Sequence, residues 1–93
     1  MKFRFFGPFR EIAKIREIEL TIAEEAKILD ALSLLIEKYG TEMRKTLFHP
    51  QKGSLKSDFQ ILVNGNNIYA RKGVKTPLKN GDIIIIYPPV AGG

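Results

Sequence analysis

Apolar and polar residues alternate at the start of the chain, in the sequence MKFRFF. This period-two pattern is typical of a half-buried strand, and Gly7-Pro8 interrupts it, so we predict a first strand over residues 1–7. Residues 15–22 are rich in isoleucine and alternate in their second half, which predicts a second strand. Residues 8–13 would then turn the chain back as a hairpin.

A helical period replaces the alternation in the next segment. The apolar residues recur at steps of one, three, three, one and three: Ile28, Leu29, Leu32, Leu35, Ile36 and Tyr39. This spacing puts them on one stripe of an α-helix, and Gly40 is suited to the left-handed conformation beyond its last turn. Residues 41–58 are mostly polar, and we expect a helical turn there, followed by a mobile loop.

The last third of the chain predicts short strands joined by turns. Residues 59–63 (FQILV) form one strand, and the following NGNN indicates a tight turn into a short strand over residues 67–70. The sequence TPLKNGD, residues 76–82, predicts a further turn. Residues 83–87 (IIIIY) are apolar on both faces, as in a central strand.

This order of elements predicts an α+β fold, the ubiquitin-like β-grasp. Its mixed sheet has four or five strands, one main helix covers one face, and the last strand lies parallel to the first. A chain of 93 residues has room for one core. We therefore expect a single domain over residues 1–93, with residues 88–93 as a projecting tail.

One helix covers only one face of such a sheet, so apolar side chains of the opposite parity need another partner. If the second and fourth isoleucines of IIII face the helix, Tyr87 faces away from it, as does Phe6, and Ile68 joins them from the short strand. Aromatic residues of this kind are the usual centre of a protein interface. The alternative is that these side chains belong to the core beneath residues 41–58.

The ending YPPVAGG predicts a narrow C-terminal tail whose last residue reacts. Pro88 and Pro89 end the strand, and the two final glycines suit a channel too narrow for a side chain. The reacting group would be the α-carboxylate of Gly93, which must be activated before a nucleophile can attack it. Attack on ATP gives an acyl-adenylate, from which sulfur yields a thiocarboxylate and a lysine amine yields an amide. The sequence has no phosphate-binding loop motif, so we expect a partner enzyme to hold the ATP.

Composition narrows the chemistry further. The sequence has no cysteine and one histidine, His49, which excludes thiolate chemistry and gives no basis for a metal site. The net charge of +5 is spread along the chain, so we expect no nucleic-acid partner, although a basic RNA-binding module is the rival class. No apolar run is long enough to span a membrane, and we expect a cytoplasmic protein.

Four stretches together resemble one known family: FFGPFRE, the turn Val63-Asn64-Gly65, TPLKNGD and the terminal YPPVAGG. The family is that of the molybdopterin synthase small subunit and its thiamine-pathway sulfur-carrier relatives, including archaeal ubiquitin-like small modifiers. The resemblance implies a sulfur carrier whose terminal glycine becomes a thiocarboxylate, with no cofactor bound by this chain. It implies as partners an adenylating enzyme of the ubiquitin-activating type, a sulfur donor, and the large synthase subunit in a heterotetramer for molybdenum cofactor biosynthesis.

The resemblance also assigns roles to residues by position. The reactive tail corresponds to Gly92 and Gly93, and the contact surface for the large subunit to Phe6, Ile68, Tyr87 and, in the FRE segment, Arg10. The tail residues that enter the partner are Pro88, Pro89, Val90 and Ala91. Since the same adenylate leads to lysine conjugates, a ubiquitin-like protein modifier remains the alternative function.

Overall fold

The computed structural model describes residues 1–88, in which five strands form one mixed sheet. The strands are β1 (Lys2–Phe5), β2 (Glu17–Glu19), β3 (Gln60–Val63), β4 (Asn66–Asn67) and β5 (Ile83–Tyr87). Their order across the sheet is β2-β1-β5-β3-β4. Strands β1 and β5 are parallel neighbours at the centre, and the other pairs are antiparallel. The predicted β-grasp is confirmed, including the last strand beside the first.

Three α-helices accompany the sheet: α1 (Pro8–Ala13), α2 (Ile28–Tyr39) and α3 (Thr41–Leu47). Two short 3-10 helices, Ile68–Ala70 and Gly73–Lys75, lie between β4 and β5. None of the helices among residues 1–88 is long and apolar enough to cross a membrane.

The main helix α2 agrees with its predicted span. Its N-terminus is capped by Asp30, whose carboxylate accepts the Lys27 N–H at 2.8 Å. Gly40 follows its last residue with the expected positive φ of 79°, but its ψ of −153° differs from the predicted left-handed conformation. Its buried residues share one core with the inward-facing residues of the two central strands: Ile28, Ala31, Leu32 and Leu35 from the helix, with Phe3, Phe5, Ile84 and Ile86 from the sheet. Each such large apolar side chain contributes about 1.5–3 kcal/mol when fully buried, so this layer dominates the stability of the domain.

The connection between β1 and β2 differs from the prediction. Strands β1 and β2 do pair antiparallel, but residues 8–13 form α1 instead of a hairpin turn, and β2 is only three residues long. Proline at the first helical position is compatible with a helix because its missing N–H would have no partner there. Phe9 and Ala13 lie four residues apart on one side of α1, and both are buried. The ring centroids of Phe9 and Phe59 are 5.0 Å apart.

Two further segments are corrected by the structure. After Gly40 the helical turn extends into the seven residues of α3, whose Met43 and Leu47 are buried, and the following loop is pinned by a bridge between Phe48 and Leu55. The predicted strand over residues 67–70 is instead the end of β4 followed by a 3-10 helix. The reason is local: the Asn67 side-chain oxygen accepts the Tyr69 N–H at 2.9 Å, which curls the backbone away from an extended path.

Candidate partner-binding face and the root of the C-terminal segment

The face of the sheet that points away from α2 carries apolar side chains. Along β5, Ile84 and Ile86 are fully buried, whereas Ile83, Ile85 and Tyr87 are only half-buried. This alternation confirms the predicted parity. The central strand therefore presents one row of side chains to the core and a second row to the open face of the sheet.

Phe6 joins this open row beside Tyr87. The parallel register pairs Phe5 with Ile86, and the Phe6 N–H donates to the Ile86 carbonyl at 3.2 Å. The register therefore places the next residues along the two strands, Phe6 and Tyr87, at adjacent positions. Phe5 is buried while Phe6 is 48% exposed, so the two neighbouring phenylalanines face opposite sides of the sheet. Two of the three residues predicted for the contact surface are thus brought together.

Sequence reasoning missed an aliphatic member of the same surface. Leu62 on β3 pairs with Ile85 on β5 and is half-buried between Ile61 and Val63, which face the core. Strand parity within FQILV was a signal that could have identified it. We call the half-exposed apolar set on this side of the sheet the open-face patch; its members are Phe6, Leu62, Ile83, Ile85 and Tyr87.

Ile68 does not belong to the open-face patch, which corrects the prediction. Its side chain is fully buried in the core, because the 3-10 helix that begins after Asn67 turns it inward. The adjacent Tyr69 is 60% exposed instead, and no sequence pattern indicated this exchange. An interface residue must be reachable, so Ile68 can influence this surface only through packing.

Charged side chains border the open-face patch on the β1 side. The Arg4 Nε lies 2.8 Å from a carboxylate oxygen of Glu17 on β2, and the Lys2 ammonium lies 3.9 Å from the other oxygen. The hydrogen bond from Arg4 is the largest cause that lowers the pKa of Glu17 below its ordinary value. Because the pair is exposed, it adds little to stability. Arg4 is also the register partner of Ile85 on β5.

Arg10 lies on α1, close to the point where the patch meets the C-terminal segment. It lines a shallow basic groove with Gly7, Glu11, Lys14 and Arg16. Within residues 1–88 the three cations of this groove, Arg10, Lys14 and Arg16, form no ion pair. The docking role of Arg10 stays a prediction.

Pro88 is the last residue that the structure describes, and it sits directly beyond the patch. It lines a groove together with Pro8, Phe9 and Phe59, so the described chain ends between α1 and the start of β3. The other predicted tail and reactive residues lie outside the described residues: Pro89, Val90, Ala91, Gly92 and Gly93. In the described part of the chain, no group of three or more histidine, aspartate or glutamate side chains could hold a metal ion.

The family model described as the ThiS family matches residues 3–93. The chain belongs to the ThiS family. This confirms the resemblance seen in the sequence, and it places the chain among sulfur carriers and ubiquitin-like small modifiers.

Two curated relatives of this ThiS family member represent the two kinds of function. The chain is 30% identical to small archaeal modifier protein 3 of Haloferax volcanii, in an alignment that covers 100% of this chain and 98% of the relative. It is 34% identical to a putative sulfur carrier protein of Archaeoglobus fulgidus, over 87% of this chain and 91% of the relative.

Solved structures confirm the fold of this ThiS family member. Small archaeal modifier protein 1 of Methanosarcina acetivorans superposes with a TM-score of 0.80 at 35% identity, covering 99% of this chain and 94% of that one. A putative molybdopterin converting factor, subunit 1, of Pyrococcus furiosus superposes with a TM-score of 0.75 at 25% identity, covering 96% and 95%. The ubiquitin-like β-grasp is therefore shared with both of these proteins.

Proposed function

We propose that this chain carries sulfur as a thiocarboxylate on Gly93. An oxygen of the Gly93 carboxylate attacks the α-phosphorus of ATP, pyrophosphate leaves, and an acyl-adenylate forms. Hydrosulfide (HS⁻) from the sulfur donor then attacks the acyl carbon, AMP leaves with the electron pair of the broken bond, and loss of the remaining proton leaves the thiocarboxylate. The second step is easier than direct attack on the carboxylate because AMP is a far better leaving group than oxide.

The observation that carries the proposal is the position of the Phe6–Tyr87 pair. Phe6 is exposed and Tyr87 is half-buried, and the register places them at adjacent positions, with Tyr87 one residue before Pro88 at the end of β5. A partner that binds this pair is thereby placed at the base of the segment PPVAGG. Aromatic residues dominate the binding energy of many interfaces, so a small patch suffices to recruit an enzyme to the terminal glycine.

The ATP in this scheme is held by the activating enzyme, and we propose no cofactor for this chain. The sequence contains no G-x-x-x-x-G-K-[ST] loop that could cradle the phosphates. The role of the chain is therefore to present its terminus, while an adenylating enzyme of the ubiquitin-activating type supplies catalysis and a sulfur donor supplies the sulfur.

The proposed acceptor of the sulfur is the large subunit of molybdopterin synthase. In this assignment the chain is the small subunit of a heterotetramer, and the thiocarboxylate supplies sulfur for the dithiolene that is built from cyclic pyranopterin monophosphate. The support is the likeness over 95% of its length to the Pyrococcus furiosus protein named molybdopterin converting factor, subunit 1. The open-face patch would then contact the large subunit after the activating enzyme has left.

Protein modification is the second candidate function. It is favoured by the alignment with small archaeal modifier protein 3, which extends over all of this chain. From the same adenylate, a lysine amine would attack the acyl carbon, AMP would leave, and an isopeptide bond would form after loss of a proton. Sulfur transfer and conjugation thus differ only in the nucleophile that meets the activated glycine.

The decisive experiment incubates the chain with the adenylating enzyme of its own cell, ATP and a sulfur donor. Intact-mass spectrometry should then show the mass gain of one oxygen-to-sulfur exchange, located on the C-terminal peptide. A chain that lacks Gly93 is the matched control and should gain nothing. Equal sulfur on both chains would contradict the proposal, and lysine-linked conjugates without any thiocarboxylate would select the modifier function.

A further inference from the structure

Gly7 adopts a conformation that the start of α1 holds in place. Its φ of 59° and ψ of −135° are strained for residues with a side chain. Its carbonyl oxygen accepts the N–H groups of Arg10 at 3.1 Å and Glu11 at 3.2 Å, which forms the first turn of the helix. The backbone at Gly7 is therefore anchored from one side by the helix, and from the other by the hydrogen bond between Phe6 and Ile86.

The space that a side chain would fill at Gly7 is taken by Pro88. A Cβ atom at this position would lie 2.8 Å from the Cγ and 3.1 Å from the Cδ of the Pro88 ring. At each of the other five glycines among residues 1–88, a Cβ would meet nothing within 4 Å. Gly7 thus differs from its counterparts, because its bare Cα is the surface on which the proline ring rests.

This contact acts on the part of the chain that leads to the terminus. The proline ring fixes φ at Pro88, so the placement of this ring sets the direction of the Cα–C bond that leads on toward residue 89. The far side of Pro88 borders the groove with Pro8 and Phe9, which are part of the same helix start. Residues 7–9 therefore form the packed surface against which Pro88, the last described residue, is seated.

We propose that Gly7 is a positioning residue, which seats Pro88 so that the segment bearing the reactive glycine leaves the domain in the direction the activating enzyme requires. The inference rests on the proposed function, since it concerns the delivery of Gly93. Gly7 touches none of the reacting atoms. It acts through Pro88 alone. A substitution at Pro88 that removes the clashing ring atoms should therefore cancel the effect of a side chain at position 7.

The first test measures the rate of Gly93 adenylation by pyrophosphate exchange for four variants: Gly7→Ala, Pro88→Ala, the double variant, and Gly73→Ala. Gly73 is the matched control because its φ of 58° resembles that of Gly7, but its Cβ would have open space. We expect Gly7→Ala to lower kcat by at least about tenfold while KM for the chain changes little, because the patch still docks and only the terminus is misplaced. Alanine at position 88 removes the two ring atoms in the clash, so the double variant should match Pro88→Ala alone.

Two results would overturn the proposal. One is a loss of rate in Gly7→Ala that the control Gly73→Ala reproduces at equal loss of melting temperature, because backbone strain alone would then explain it. The other is a double variant that is clearly slower than Pro88→Ala alone, because the effect of Gly7→Ala would then not act through the Pro88 ring.

A second measurement is independent of any enzyme. A spin label on Lys45→Cys, an exposed position on the groove that ends at Pro88, broadens the amide signals of nearby residues in NMR spectra. Gly7→Ala should change the broadening of the amide signals of Val90, Ala91 and Gly92. In the background of Pro88→Ala, which lacks the clashing ring atoms, Gly7→Ala should cause no further change in broadening. An unchanged pattern in Gly7→Ala refutes the positioning role. Absence of adenylation in the unaltered chain would instead refute the proposed function and leave this measurement valid.

Discussion

The ring of Phe5 lies edge-on to that of Tyr39, with the two centroids 6.1 Å apart, and this contact joins β1 to the last turn of α2. In this packing the hydroxyl oxygen of Tyr39 is buried. Among the described residues it has no hydrogen-bond partner, and burial raises its pKa above the ordinary value.

Tyr39→Phe should therefore stabilise the domain. The substitution keeps the ring and its contact with Phe5, and it removes a buried polar group that has lost its water, a group that costs about 1–3 kcal/mol when unsatisfied. We expect the free energy of unfolding, measured with urea, to rise by about 1 kcal/mol. Tyr69→Phe is the control, since that side chain is exposed and its loss of a hydroxyl should change nothing. A lower stability of Tyr39→Phe would show that the hydroxyl has a partner.

The open-face patch should be required for partner binding but not for folding. Phe6→Asp or Tyr87→Asp should weaken binding of the adenylating enzyme or the large synthase subunit by about 2 kcal/mol or more, roughly 30-fold in Kd, if the residue lies at the centre of the interface. Titration calorimetry measures the affinity, and a thermal melt of the same sample measures stability.

The matched control for these variants is Tyr69→Asp, which changes an exposed aromatic residue outside the patch. It should leave affinity unchanged. If the Phe6 and Tyr87 variants lost stability and kept their affinity, the two side chains would belong to the core, which was the alternative reading of the sequence.

Chemistry at Gly93 should depend steeply on the last residue. Appending one alanine should abolish adenylation, because the reacting carboxylate is moved beyond its site. Gly93→Ala should lower the rate by on the order of a hundredfold, because an added methyl displaces the reacting atoms. Neither change should alter the circular dichroism or the melting temperature, since the described core lies between Met1 and Ile86. Normal sulfur yield from the extended chain would refute the mechanism.

The Arg4–Glu17 pair predicts a small acid sensitivity at the edge of the patch. The folded pKa of Glu17 lies below its unfolded value, so its stabilising contribution is complete above the unfolded value and is lost as pH falls through the folded one. An NMR titration should find the Glu17 pKa below 4.5, and Arg4→Gln should return it toward that value. Lys2→Gln should have a smaller effect, since its ammonium is 3.9 Å away. An unshifted pKa in the unaltered chain would mean that the hydrogen bond is absent in solution.

The elements that the sequence predicted well are those whose pattern reflects burial. The helical spacing of apolar residues in α2 and their alternation in β5 reflect which side chains must avoid water. The structure shows both patterns because these side chains pack in the core. For the same reason, the sequence could predict that Phe6 is exposed while Phe5 is buried.

The elements that were predicted wrongly depend on local backbone chemistry. Gly7-Pro8 was interpreted as a strand end and a turn, yet the same pair also starts a helix, because proline suits the first helical position. At Asn67 a side-chain hydrogen bond competes with the extended backbone, and it reverses which of Ile68 and Tyr69 is buried. Hydrophobic periodicity carries no information about either choice.

The parallel pairing of β1 with β5 has a consequence for biosynthesis. The two central strands come from opposite ends of the chain, and their register joins residues 2–5 to residues 83–86. A nascent chain cannot complete its sheet until the last strand has left the ribosome, because contacts this distant in sequence must form late. A prematurely terminated product lacks β5, and with it both Tyr87 and the surface beside Phe6. A product that stops before β5 therefore cannot present the open-face patch, so this surface is withheld until residue 87 has been made.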